Sequence, residues 1–199
     1  MKISGQSALL ALARAADAES KAEEQDWTRA MLRALAKLAP NACIDPDVWA
    51  PRTGRGRAAK EFLWDLTISS WPRYEEQAYE FPTYFKQASA NTLRPPRLLL
   101  VAESEWGDSR GRRKNGLAVM EDFAKLLAAQ APVKVMIFGY FPTGASSSFK
   151  ELSGLMVDLI RASRDSAEYV LFGVAWGKNC KWRGQHVKER CVHEEMVGP

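Results

Sequence analysis

Three short apolar runs, Arg97–Trp106, Lys134–Tyr140 and Tyr169–Trp176, are separated by two stretches with helical periodicity, about Leu117 to Gln130 and Phe149 to Arg161. That alternation constrains the chain more than any other feature. Runs of this length and apolarity suit strands buried on both faces, and helices between them suit crossover connections, so the chain is expected to form an α/β sheet with at least partly parallel order. Ser146, Ser147 and Ser148 stand where an N-cap for the second helix is needed. An earlier segment, Lys60–Ser69, alternates instead. Phe62, Trp64, Leu66 and Ile68 fall on one side and Glu61, Leu63, Asp65 and Thr67 on the other, which predicts a further strand.

The N-terminal region adds Trp27, Met31, Ala34, Leu35 and Leu38 at helical spacing before Pro40, which fits one or two helices. At 199 residues the chain is long enough for one sizeable core and short for two, so a single domain spanning 1–199 is expected, with 177–199 a polar, peripheral tail. Three cysteines at unrelated spacings form no disulfide framework, which places the protein in a reducing cytoplasm. The apolar run near the N-terminus is brief and interrupted by Arg14, unlike a secretory signal, and no stretch is long and apolar enough to cross a membrane. Lys and Arg exceed Asp and Glu by 28 to 24, a net charge of +4 that permits a polyanionic partner without demanding one.

The first apolar run ends in two acids. Along a strand Leu99, Val101, Glu103 and Glu105 share one face, which sets the two carboxylates side by side about 6–7 Å apart. Like charges beside an apolar core need a proton, a cation or hydration to offset their repulsion, and a divalent metal does this best. Asp65 projects from the polar face of its own strand. If the two strands pair, Asp65, Glu103 and Glu105 can converge, and three carboxylates suffice for Mg²⁺ or Mn²⁺, which prefer oxygen ligands. Such a cation both activates water and stabilises charge growing on a phosphodiester.

On these residues the chain resembles the PD-(D/E)XK nuclease superfamily, whose signature is an acid on one core strand and an acid-x-Lys element on the next. Asp65 and Glu103-Ser104-Glu105 match it, with Glu105 standing at the lysine position, as in Glu-x-Glu members. The resemblance implies an α-β-β-β-α-β core within a three-layer, restriction-endonuclease-like domain, a central mixed sheet flanked by helices. It implies Mg²⁺- or Mn²⁺-dependent hydrolysis of DNA or RNA, with Asp65, Glu103 and Glu105 as ligands. In some members the following helix supplies the lysine, and by that resemblance Lys125 would orient the attacking water. The helical wheel opposes this. Val119, Met120, Phe123, Ala124 and Leu127 cluster on one side with Lys125 nearly opposite, and Glu121 at i−4 offers an ordinary surface ion pair.

Two basic segments flank the acids. Arg52, Arg55 and Arg57 precede Asp65, while Arg110, Arg112, Arg113 and Lys114 follow Glu105 in a stretch, Gly107–Gly116, that reads as an exposed loop. Both are candidates for salt-sensitive contacts to a nucleic-acid backbone. The missing lysine after Glu103 keeps an alternative open: a catalytically inactive nuclease-fold protein for binding or assembly. Oligomeric state is left open, a homodimer included. Gly139–Ser148 lacks the Gly-Lys-Ser/Thr ending of a phosphate loop, and Cys180, His186, Cys191 and His193 match no usual zinc spacing.

Overall fold

The computed structural model describes residues 3–18, 24–39, 42–44, 65–69, 98–106, 112–142, 148–175 and 181–198. Its elements are α1 (Gly5–Ala18), α2 (Glu24–Ala36), β1 (Ala42–Ile44), β2 (Leu66–Ser69), β3 (Leu98–Glu105), α3 (Arg112–Ala128), β4 (Val133–Tyr140), α4 (Phe149–Ser163), β5 (Glu168–Ala175), β6 (Trp182–Lys188) and β7 (Cys191–Val197). One open mixed sheet carries all the strands in chain order, from the three-residue β1 at one edge to β7 at the other. Strands β1 to β3 form an antiparallel meander, β3, β4 and β5 run parallel, and β6 and β7 return antiparallel. The parallel centre is the part that the alternation of apolar runs and helices anticipates.

Helices pack on both faces. On one, Leu9 and Leu12 of α1 and Trp27, Met31 and Leu35 of α2 bury against Leu66, Leu100, Ala102, Ile137, Phe172 and Trp182. On the other, Val119, Phe123 and Leu126 of α3 and Leu152, Met156 and Ile160 of α4 bury against Val101, Met136, Phe138, Tyr169 and Leu171. Both crossover helices share a face because successive parallel connections of one hand step along the sheet in one direction. Strand β4 is buried at all eight positions, which is why its sequence shows no alternation.

Local chemistry sets the helix ends. Ser4 and Ser7 exchange bonds at the start of α1, Ser7 N–H donating to Ser4 Oγ at 3.2 Å and Ser4 N–H to Ser7 Oγ at 3.1 Å. The Glu168 carboxylate accepts from the Gly5 N–H at 2.6 Å and lies 3.1 Å from His186 Nε2, so β5 and β6 hold the helix entry. Ser148 caps α4 by accepting from the Glu151 N–H at 3.3 Å. Where α1 crosses β6 the approach is close: a Cβ at Gly184 would fall 2.4 Å from Leu9 Cδ1.

Several expectations need correction. Within the expected tail 177–199, the described residues 182–188 and 191–197 form the hairpin β6–β7 that extends the sheet. Its polar composition reflects an outer hairpin: in β6 Trp182 packs into the core under α1 and α2 and Val187 into the core on the other face, while Arg183 and Lys188 are exposed. Helix α3 begins at Arg112, inside the stretch expected to be a loop. At the start of β3 the expected phase slips: Leu98 packs towards α3 and Leu99 towards α1 and α2, next to the register shift between Ile68 and Ser69. The expected strand from Lys60 is described only from Asp65 onward, and Glu61 lies outside the described residues.

At the opposite end of β4 from the acids, Lys134 is 1% exposed and ion-paired to Asp165. Its Nζ also donates to Tyr169 Oη at 3.2 Å and to the Leu127 carbonyl at 3.4 Å, and the Tyr169 hydroxyl donates to Asp165 at 2.8 Å. Every donor of the buried ammonium is thereby met, as burial of a charge requires. No helix among the described residues is long and apolar enough to cross a membrane.

Candidate functional site

Pairing of β2 with β3 decides whether the acids meet. Leu66 lies opposite Ala102 and Thr67 opposite Val101, so continuing the antiparallel ladder by one residue sets Asp65 opposite Glu103. Directly opposed residues share a face, and here it is the face covered by α3. Asp65 is fixed from the strand itself, since its Oδ2 accepts from the Ser104 N–H at 2.8 Å. The end of β3 is pinned from the other side by α2: Trp106 Nε1–H donates to Thr28 Oγ1 at 2.6 Å and reaches Ser104 Oγ at 3.1 Å.

Glu103 is the centre of the cluster. It is 3% exposed, and its Oε1 has no hydrogen-bond partner among the described residues. Burial first, then the charges of Asp65, Asp122 and Glu105, push its carboxyl up to about 9, against a partial offset from the Lys125 ammonium. An orphaned buried carboxyl is costly, and proteins retain such groups mostly where a proton or a cation has a task. Glu105, half-buried, lies one step further along β3 and contributes least to the field at Glu103.

Lys125 is exposed, as the wheel drawn from sequence expects, yet its charge acts on Glu103 and Asp65. The stripe of α3 that packs on the sheet is Val119, Phe123 and Leu126, with Met120 and Leu127 beside it, so the expected face holds except that Leu126 joins it and Ala124 is exposed. Lys125 Nζ pairs with Asp122 Oδ1 at 2.6 Å, one turn earlier, and not with Glu121. Partial burial disfavours the ammonium, but the bond to Asp122 and the negative fields of Glu103, Asp122 and Asp65 outweigh it and hold Lys125 above the ordinary lysine value. Asp122 is the residue that sequence reasoning missed. Its signal was the spacing to Lys125 combined with a stripe centred on Phe123 and Leu126.

Arg112, Arg113 and Lys114 occupy the first turn of α3, a turn without an acidic residue. Arg52, Arg55, Arg57 and Arg110 lie outside the described residues. Among the described residues no three His, Cys, Asp or Glu side chains stand arranged around one point as a metal site. The donor set nevertheless suits a hard cation, because Mg²⁺ is commonly held by one or two carboxylates together with water and substrate oxygens. Comparison of the chain with protein-family models, curated proteins and solved structures finds no match.

Proposed function

We propose that the protein is a restriction-endonuclease-like, Mg²⁺- or Mn²⁺-dependent nuclease that hydrolyses phosphodiester bonds of DNA or RNA. One observation carries the reading: the buried Glu103 carboxyl, with an oxygen unpartnered among the described residues, faces Asp65 across β2–β3 and shares its surroundings with Asp122 and Lys125. The element order α2-β1-β2-β3-α3-β4, with β1 to β3 antiparallel and β4 parallel to β3, supports it as the α-β-β-β-α-β order of that nuclease core. So does the first turn of α3. Its sequence, Arg112-Arg113-Lys114, is one that suits contact with a phosphate backbone.

In this reading Asp65 and Glu103 hold the cation and Glu105 adds a ligand from further along β3. The cation, when bound, supplies Lewis-acid stabilisation of charge developing on phosphate. Lys125 places a donor beside that charge. Arg112, Arg113 and Lys114, with Arg52, Arg55, Arg57 and Arg110, hold the backbone without reading sequence. The test is titration with Mn²⁺ and Mg²⁺, and cleavage of single- and double-stranded DNA and RNA, by wild type, Glu103→Gln and Asp65→Asn. Each variant should bind the cation more weakly and cleave about 100-fold more slowly or worse, since even outer-shell partners of a metal cost 10–100-fold. Wild type that binds neither cation overturns the reading, and cation binding without cleavage favours an inactive nuclease-fold binding or assembly protein.

A further inference from the structure

We infer that Asp122 is a positioning residue, holding the Lys125 ammonium at the acidic site while a divalent cation occupies Asp65 and Glu103. The inference rests on the nuclease reading above. Lys125 has two acidic neighbours on its own helix, and they pull in different directions. Glu121 is exposed on the outward side of α3, so pairing with it would draw the ammonium into solvent. Asp122 is only 18% exposed. Lys125 takes Asp122, at 2.6 Å.

The choice matters because Lys125 is 43% exposed and carries a long, flexible stem. In the metal-free cluster the Asp65 carboxylate also attracts it, as Glu103 does once ionised. A divalent cation at those carboxylates would cancel that attraction and replace it with repulsion. Asp122 is the anchor that survives the exchange, because it belongs to the same helix one turn away and depends on neither carboxylate. Its own charge also adds to the negative field at Glu103, so it favours the cation without having to ligate it.

The experiment compares Asp122→Asn, Asp122→Glu and Glu121→Gln with wild type in three measurements. The first is the NMR titration of Lys125 in protein carrying ¹³C-dimethylated lysines, its signal assigned with Lys125→Arg. The second is Mn²⁺ affinity, and the third is cleavage kinetics. Asp122→Asn should lower the Lys125 titration and cut kcat by about 10- to 100-fold, as small misplacements of a positioned group do. Its KM and Mn²⁺ affinity should stay within about threefold, as loss of one charge outside the ligand shell implies. Asp122→Glu should restore part of kcat, and Glu121→Gln should change none of the three. An unaltered Lys125 titration in Asp122→Asn overturns the inference, as does a loss of Mn²⁺ affinity matching that of Glu103→Gln, which would make Asp122 a ligand. Wild type that binds no Mn²⁺ overturns instead the nuclease reading, and with it the role assigned to Asp122 in the presence of metal.

Discussion

Replacing Glu103 with Gln should make the metal-free protein more stable at alkaline than at acidic pH relative to wild type, and the size follows from the burial of that carboxyl. In the unfolded chain the group titrates near 4.5, and in the folded protein near 9. Between those values the native state holds a proton that the unfolded state has released, so wild-type stability falls as pH rises, by up to about 1.36 kcal/mol per pH unit. Below pH 4.5 the penalty is absent, and above 9 it is constant. From pH 5 to pH 8 it grows by at most about 4 kcal/mol. Gln is nearly isosteric and does not titrate. Any cost of its amide lacking partners is the same at both pH values and cancels in the difference. The assay is urea denaturation followed by tryptophan fluorescence in EDTA across pH 5 to 8, with the two proteins compared at each pH. Their stability curves should diverge with pH by several kcal/mol, and even half the full slope would separate them clearly. Parallel curves would refute the argument, because they would mean that Glu103 ionises without penalty in the fold. Added Mn²⁺ at pH 8 should then stabilise wild type, by about 2.7 kcal/mol at 100 times its Kd, and Glu103→Gln, which binds it more weakly, by much less.

Other outcomes follow from the core. Lys134→Met strips Asp165 of its ion pair and should cost about 1–3 kcal/mol, below the 3–5 of a fully buried pair because Asp165 keeps a quarter of its side chain in water. Adding Asp165→Asn should recover part of that loss in the same denaturation assay. Leu9→Ala should cost about 2–5 kcal/mol, since Leu9 is fully buried where α1 crosses the sheet, whereas Leu10→Ala on the exposed side should stay within about 0.5 kcal/mol. Glu168 is disfavoured by burial, but its bond from the Gly5 N–H and the nearby Lys188 and His186 hold its carboxyl below the ordinary value. Its stabilising contribution is therefore present above pH 4.5 and lost as pH falls through its lowered folded value, so Glu168→Gln should flatten the acid limb of the stability curve.

The elements that declare themselves in the sequence are those whose own periodicity decides them. Strands β4 and β5 read as unbroken apolar runs because both their faces are covered, and the boundaries of α4 follow from Ser148 and its apolar stripe. The edge elements were less legible. Polar residues in β6 and β7 look like a tail until neighbouring strands and α1 supply the partners that make Trp182 and Val187 core residues. Likewise, the start of α3 carries a basic cluster and Gly116 that argue locally for a loop, and packing of Val119, Phe123 and Leu126 decides otherwise.

The acidic site divides along the same line. Strand phase alone put Glu103 and Glu105 on one face and singled out Asp65, because side-chain direction along a strand is a local property with a period of two. Only the tertiary structure decided that Asp65 faces Glu103, since register is settled between strands, and that Glu103 is buried deeply enough to favour its proton. Only the packing of α3 on the sheet decided that Asp122 is largely covered and pairs with Lys125. A helix can present any of several neighbouring stripes, and the choice depends on which residues fill the space above β3 and β4.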